Sequence, residues 1–249
     1  MQPNMLAALD STIRIVIAGH FQHGKSTLTK LLIPDSNVVF GDGTEPTTDD
    51  AQEYLSACKT INIIDTPGVN GKPEHDRKAI HALTGADIAI FVVMTDRALL
   101  ECVKEHFRQA AVLRTPTIVI LNCKDPAGDE RNDPVFAEKC EIAKTIVHQI
   151  SNLGVGVFRT FTTNLAWAAA GKGFLDREHR VTKRIFGEYR ELFPADNNAD
   201  EMYKKSNFES IERYILAPNP DLFSVGGLLV NAIKGRISQK MRNSLNHGT

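Results

Sequence analysis

Residues Gly19 to Ser26 read Gly-His-Phe-Gln-His-Gly-Lys-Ser, and they join the apolar run Ile13 to Ala18 to a helix-like stretch, Lys25 to Leu32. A turn of the form G-x-x-x-x-G-K-S between a strand and a helix is built to hold phosphate. Its backbone N–H groups cradle the oxygens, the lysine reaches the outer phosphates, and the hydroxyl serves Mg²⁺. Gly19, Gln22, His23, Gly24, Lys25, Ser26 and Thr27 are therefore the candidate phosphate contacts, with Lys25 on the β and γ oxygens and Ser26 on the metal. A chain that opens this way has to place its strand inside an open sheet, with the helix N-terminus at the strand's carboxyl end.

The 249 residues are 42% hydrophobic, enough for a large core, and the formal net charge of −1 offers no general attraction for nucleic acid or an anionic membrane. Any basic site must be local. Cys58, Cys102, Cys123 and Cys140 have neither C-x-x-C nor zinc spacing and read as reduced thiols. Met1 to Asp10 carries a short apolar run without a preceding basic cluster, which is not the pattern of a signal peptide. The expected location is cytoplasmic.

Along the chain, β-type and helix-type patterns alternate. Pro34 to Asp50 is polar, with Gly41, Gly43 and Pro46, and reads as a long loop of functional length. Gln52 to Cys58 is expected to pair antiparallel with Thr60 to Ile64, which delivers Asp65-Thr66-Pro67-Gly68 at its end. A helix over Glu74 to Leu83, a strand over Ile88 to Met94, a helix over Leu99 to Leu113 and a strand over Thr117 to Leu121 follow. That last strand ends in Asn122-Cys123-Lys124-Asp125. Pro134 to Leu153 has helical spacing with proline first, and Gly156 to Phe161 reads as a strand ending at Thr162-Thr163-Asn164. Such alternation implies an α/β fold with a doubly wound, mostly parallel sheet. From Gly171 to Lys205 clustered charges of both signs mark an inserted helical segment, and Ser206 to Glu209 reads as a capping box for a helix to Leu216. The expected domain covers residues 11–217, with 171–205 as the insertion and 218–249 as a helical tail.

Taken together, Gly19 to Ser26, Thr47-Thr48, Asp65 to Gly68 and Asn122 to Asp125 resemble, in order and spacing, the motifs of the TRAFAC GTPases over about Thr12 to Asn164. The phosphate loop, with His20 and His23-Gly24-Lys25, looks like that of translational GTPases. The remainder is similar to the Era-like, MnmE-like and dynamin-like groups. The resemblance implies a P-loop GTPase domain that binds GTP or GDP with Mg²⁺ held by Ser26, Asp65 and a switch threonine, Thr48 or its neighbour Thr47. Gly68 would offer its backbone N–H to the γ-phosphate. Asn122, Lys124 and Asp125 would contact guanine, the carboxylate accepting from N1–H and the amino group, and Thr163 and Asn164 are the counterparts of the last base-contacting loop. One departure stands out: Cys123 occupies the usual lysine position, with Lys124 one place later. Val69 stands where translational and Ras-like GTPases carry a water-orienting side chain, an apolar replacement that resembles the Era, MnmE and dynamin groups. Lys25, Thr48, Gly68 and Gln22 are the candidate catalytic residues. Gln22 sits where some relatives help hold a monovalent ion such as K⁺, and its alternative is a structural loop side chain. For His20 and His23 the alternatives are loop packing and acid–base work.

The tail from Leu222 to Thr249 contains Lys234, Arg236, Lys240 and Arg242 without an acidic residue, and Leu229, Ile233, Ile237, Met241 and Leu245 recur at spacing four. Such a helix packs on its own domain, or meets a membrane surface or a partner. The expected function is a Mg²⁺-dependent GTPase switch whose partners are guanine nucleotide and a second copy or effector at the switch loops. A binding module with negligible turnover and the head of a dynamin-like membrane protein are the alternatives.

Overall fold

The β-branched runs carry the architecture. In a computed structural model that describes residues 12–38, 50–56, 61–68, 73–96, 98–123, 134–175 and 199–216, six strands form one sheet: β1 (Ile13–Ala18), β2 (Gln52–Leu55), β3 (Ile61–Asp65), β4 (Ile88–Met94), β5 (Thr117–Asn122) and β6 (Val157–Thr163). Their order is β2-β3-β1-β4-β5-β6. β2 pairs antiparallel with β3, and every other pairing is parallel. The chain moves from β1 to one side and then returns to the other, so β1 lies at the topological switch point and its carboxyl end opens onto the ligand crevice.

Helices α1 (Lys25–Leu32), α2 (Pro73–Thr84), α3 (Glu101–Val112), α4 (Pro134–Ser151), α5 (Leu165–Gly171), α6 (Ala199–Lys205) and α7 (Glu209–Leu216) complete the described elements. All seven residues of β4 are buried, which is why that strand reads as a continuous apolar run rather than an alternating one. Val16, Phe91, Val93, Leu121, Phe107, Ile146 and Ile150 fuse one face of the sheet with α2, α3 and α4 into a single apolar cluster. At its centre the Phe91 and Phe107 rings stack at 4.0 Å. On the opposite side α1 packs against β1 and β3, and α5 packs against α1 and α6. The α5 and α6 backbones touch: a Cβ on Gly171 would lie 2.6 Å from the Ala199 carbonyl oxygen.

The expected elements form, with three differences. β6 runs through Thr163 rather than stopping at Phe161, because its pairing with β5 continues to Asn122↔Thr163. α5 was not expected, although Asn164 caps it by accepting from the Trp167 N–H at 3.0 Å and Ala-rich sequence follows. Ser206 does not cap a helix as a capping box would. Its hydroxyl instead accepts from the Phe208 N–H and donates to the Tyr203 carbonyl, closing a turn between α6 and α7.

Two units divide the chain between Glu209 and Ser210; the sheet and its site belong to the first. Of the expected insertion, 171–175 and 199–205 are described, and the tail 218–249 lies outside the described residues. Among the described residues no helix is long and apolar enough to cross a membrane.

Candidate functional site

β1 ends at Ala18 because the next residue must turn where no side chain fits. Gly19 has φ of +149°, and a Cβ there would sit 2.4 Å from the Val92 carbonyl oxygen of β4. Gly24 closes the loop in the left-handed region, with φ of 95°, and becomes the N-cap of α1. No side chain caps α1 and no acidic residue lies in its first turn. Neither its cap nor its own first turn therefore brings an anion to its first N–H groups and positive dipole end, the chemistry of an oxyanion cradle.

The loop is anchored from both sides. The His23 Nδ1–H donates to the Val92 carbonyl at 3.1 Å, and the Asn122 amide donates to the His23 carbonyl at 3.0 Å. Asn122 Oδ1 in turn accepts from the Leu165 N–H at 3.1 Å. One side chain at the end of β5 thus ties the phosphate loop to the start of α5. His23 is buried, and desolvation, aided by His20 and Lys25, holds its pKa down at about 3 against the pull of its hydrogen bond to Val92. The His20 ring lies 5.1 Å away, tilted at 46°. A neutral imidazole whose Nδ1–H is given to a carbonyl is an anchor, which favours the packing role for His23 over acid–base work.

Lys25 is buried and folds back onto the His20 carbonyl at 3.3 Å. Burial lowers its pKa, opposed by the Asp65 carboxylate. Asp65, at the end of β3, is 1% exposed; burial raises its pKa while Lys25 and Ser26 pull it down. Ser26 Oγ donates to Asp65 Oδ2 at 2.7 Å, and Oδ1 is buried with no hydrogen-bond partner among the described residues. An orphaned carboxylate oxygen beside a hydroxyl is a hard donor set of the kind that suits Mg²⁺ shared with phosphate oxygens. Among the described residues no three His, Cys, Asp or Glu side chains gather as a metal site.

Gly68 lies against the phosphate loop: a Cβ on it would fall 2.7 Å from Phe21 Cα. Gln22 is exposed, with φ of 62°, and Thr27 follows Ser26 in the first turn of α1. Beyond the end of β5, the Cys123 N–H donates to the Thr163 carbonyl at 2.8 Å, and Cys123 Sγ accepts from the Thr95 hydroxyl. Thr163 and Asn164 are both buried and already committed, Thr163 Oγ1 to the Ser206 carbonyl and Asn164 to the α5 cap. Thr47, Thr48, Val69, Lys124 and Asp125 lie outside the described residues. What sequence reasoning missed is the bridging by Asn122 and the grip of Ser206, which join residues 99 and 43 positions apart. No local pattern carries either.

Residues 14–123 match the family described as 50S ribosome-binding GTPase. Translation initiation factor IF-2 of Mesoplasma florum is 30% identical over 131 residues, covering 51% of this chain and 20% of that protein. GTPase Era of Thermotoga petrophila is 27% identical over 154 residues, covering 58% of this chain and 51% of that protein. A crystal structure of Era in complex with MgGDPNP and nucleotides 1506-1542 of 16S ribosomal RNA aligns at 18% identity with a TM-score of 0.48, covering 62% of this chain and 51% of that one. The chain thus spans about a fifth of the initiation factor and about half of Era. The family match contains the phosphate loop, the buried carboxylate and Asn122, and over residues 14–123 the chain is similar to the P-loop GTPases of the TRAFAC class.

Proposed function

We propose that this protein binds GTP with Mg²⁺ and hydrolyses it to GDP and phosphate, changing partner affinity between the two states. The observation that carries this reading is the phosphate loop, where the uncapped N-terminus of α1, the buried Lys25 and the Ser26–Asp65 pair converge. An anionic ligand there compensates what burial costs Lys25, and a divalent ion compensates Asp65.

In this reading the loop amides and Lys25 hold the β- and γ-phosphates in line and take up charge as the γ-phosphoryl transfers to water. Ser26, Asp65 and Thr48 would hold Mg²⁺, which would supply further neutralisation of phosphate charge. Gly68 N–H meets the γ-phosphate, the contact that distinguishes GTP from GDP and moves the segment after β3. Asn122, Lys124 and Asp125 select guanine: the Asp125 carboxylate needs a paired donor edge, which adenine lacks.

Val69 cannot hydrogen-bond water, so the isolated chain turns over slowly. The missing charge comes from a monovalent cation near Gln22, or from a second copy or a partner at the switch loops; a cationic group in that place adds about 10³–10⁵ in rate. Phosphate release measured across protein concentration, and across K⁺ at fixed ionic strength, tests this. Specific activity that rises along either axis is expected. Fast activity flat in both would mean that one chain orients the water by itself.

A further inference from the structure

We propose that the turn at Ser206-Asn207, more than forty residues beyond the last base-side residue, is a positioning element that sets how long guanine nucleotide stays bound. This rests on the GTP-binding reading and adds to it a determinant outside the family motifs.

Three consecutive residues at the end of β6 are held by this turn. Thr163 Oγ1 donates to the Ser206 carbonyl at 2.7 Å, the Asn164 N–H donates to the same carbonyl at 3.0 Å, and Asn207 Nδ2 donates to the Thr162 carbonyl at 2.8 Å. The turn itself is fixed. The Ser206 N–H bonds to the Met202 carbonyl at the end of α6, Ser206 is fully buried, and Asn207 has φ of 58°, a conformation open to Asn and Gly. α6 is in turn pinned to α5 where Gly171 meets Ala199 and Tyr203. A shift of the turn therefore carries α5 with it.

What it grips is the edge of the base site. Thr163 sits beside Asn122 in the sheet register and its carbonyl accepts from the Cys123 N–H; Asp125 follows two residues later. Asn164 starts α5, whose Leu165 N–H is held by Asn122, and Asn122 holds the His23 carbonyl of the phosphate loop. One hydrogen-bonded path thus runs from Ser206 through the base side to the phosphate loop. Loosening its far end frees the base-side segment while leaving Lys25, Ser26 and Asp65, which make the phosphate and metal contacts, in place.

The test uses the full chain with fluorescently labelled GDP. Asn207→Gly keeps the backbone conformation and removes the donor to Thr162, so GDP release is expected to quicken about 2- to 12-fold, the span of one net hydrogen bond. KM for GTP rises with it, while kcat stays within about twofold of wild type. Thr163→Val, which loses the hydroxyl, quickens release likewise, and Thr163→Ser, which keeps it, restores wild-type release. Unchanged release in Asn207→Gly, whatever its melting temperature, overturns the proposal, as does equal acceleration by Thr163→Ser and Thr163→Val. A wild-type chain that binds no guanine nucleotide overturns the GTP-binding reading as well, and the two failures are told apart by that first measurement.

Discussion

Ser26 and Asp65 share a 2.7 Å hydrogen bond across the crevice, from the first turn of α1 to the last residue of β3, and the second oxygen of that carboxylate is buried with no partner among the described residues. A buried carboxylate half satisfied by a hydroxyl is costly unless a cation completes it. Ser26→Ala should therefore weaken GDP binding in Mg²⁺ by about 1.5–3 kcal/mol, the usual scale for a hydrogen bond to a charged group. In excess EDTA the variant and wild type should bind alike. Equal weakening with and without Mg²⁺, read by isothermal titration calorimetry, would separate Ser26 from the metal.

His23 links stability to acid. Its folded pKa of about 3 lies below the ordinary 6.5, so between those values the unfolded chain takes up a proton that the folded chain refuses. Stability from this residue is intact above pH 6.5 and falls as pH drops toward 3, at about 1.4 kcal/mol per pH unit. His23→Asn keeps a donor near the Nδ1 position and cannot titrate. Urea melts between pH 7 and 4 should fall less steeply for the variant than for wild type; parallel slopes would show that His23 is not held neutral.

Gly68 has no room for a methyl group, because a Cβ would lie 2.7 Å from backbone Cα of Phe21. Gly68→Ala must push the end of β3 off the phosphate loop, and overpacking of this kind costs about 1–3 kcal/mol. The expected outcome is a lower melting temperature together with slower GTP turnover. A variant as stable and as active as wild type would mean that the two segments separate in the working protein.

The strands were legible because each is a run of β-branched residues bounded by a turn signal, and Lys25–Leu32 was legible because the loop before it has one spacing. The apolar periods of α2, α3 and α4 placed those helices to within a few residues. α5 escaped because only seven residues separate Asn164 from the charged stretch, and its alanine-rich sequence shows no apolar period, although Asn164 before it is a good cap. Ser206 was misread because its serine-to-glutamate spacing matches a capping box, while its carbonyl and hydroxyl are taken by β6 and the α6 turn. The bridging by Asn122 escaped as well: its side chain holds the loop and Leu165, 99 and 43 residues away. Contacts at such separations leave no local period or spacing to read.

The central claim is that Lys25 and the loop around it hold the phosphates of a guanine nucleotide. Equilibrium binding of GDP and ADP, in Mg²⁺, by wild type, Lys25→Ala and Asp125→Asn tests it most directly. The account predicts that wild type binds GDP far more tightly than ADP. Lys25→Ala should weaken GDP by about 2–3 kcal/mol through loss of a charge-assisted contact, and Asp125→Asn should shift preference toward xanthosine diphosphate, whose base presents the complementary group. Equal affinity of wild type for GDP and ADP, or undiminished GDP affinity in a folded Lys25→Ala chain, would contradict it.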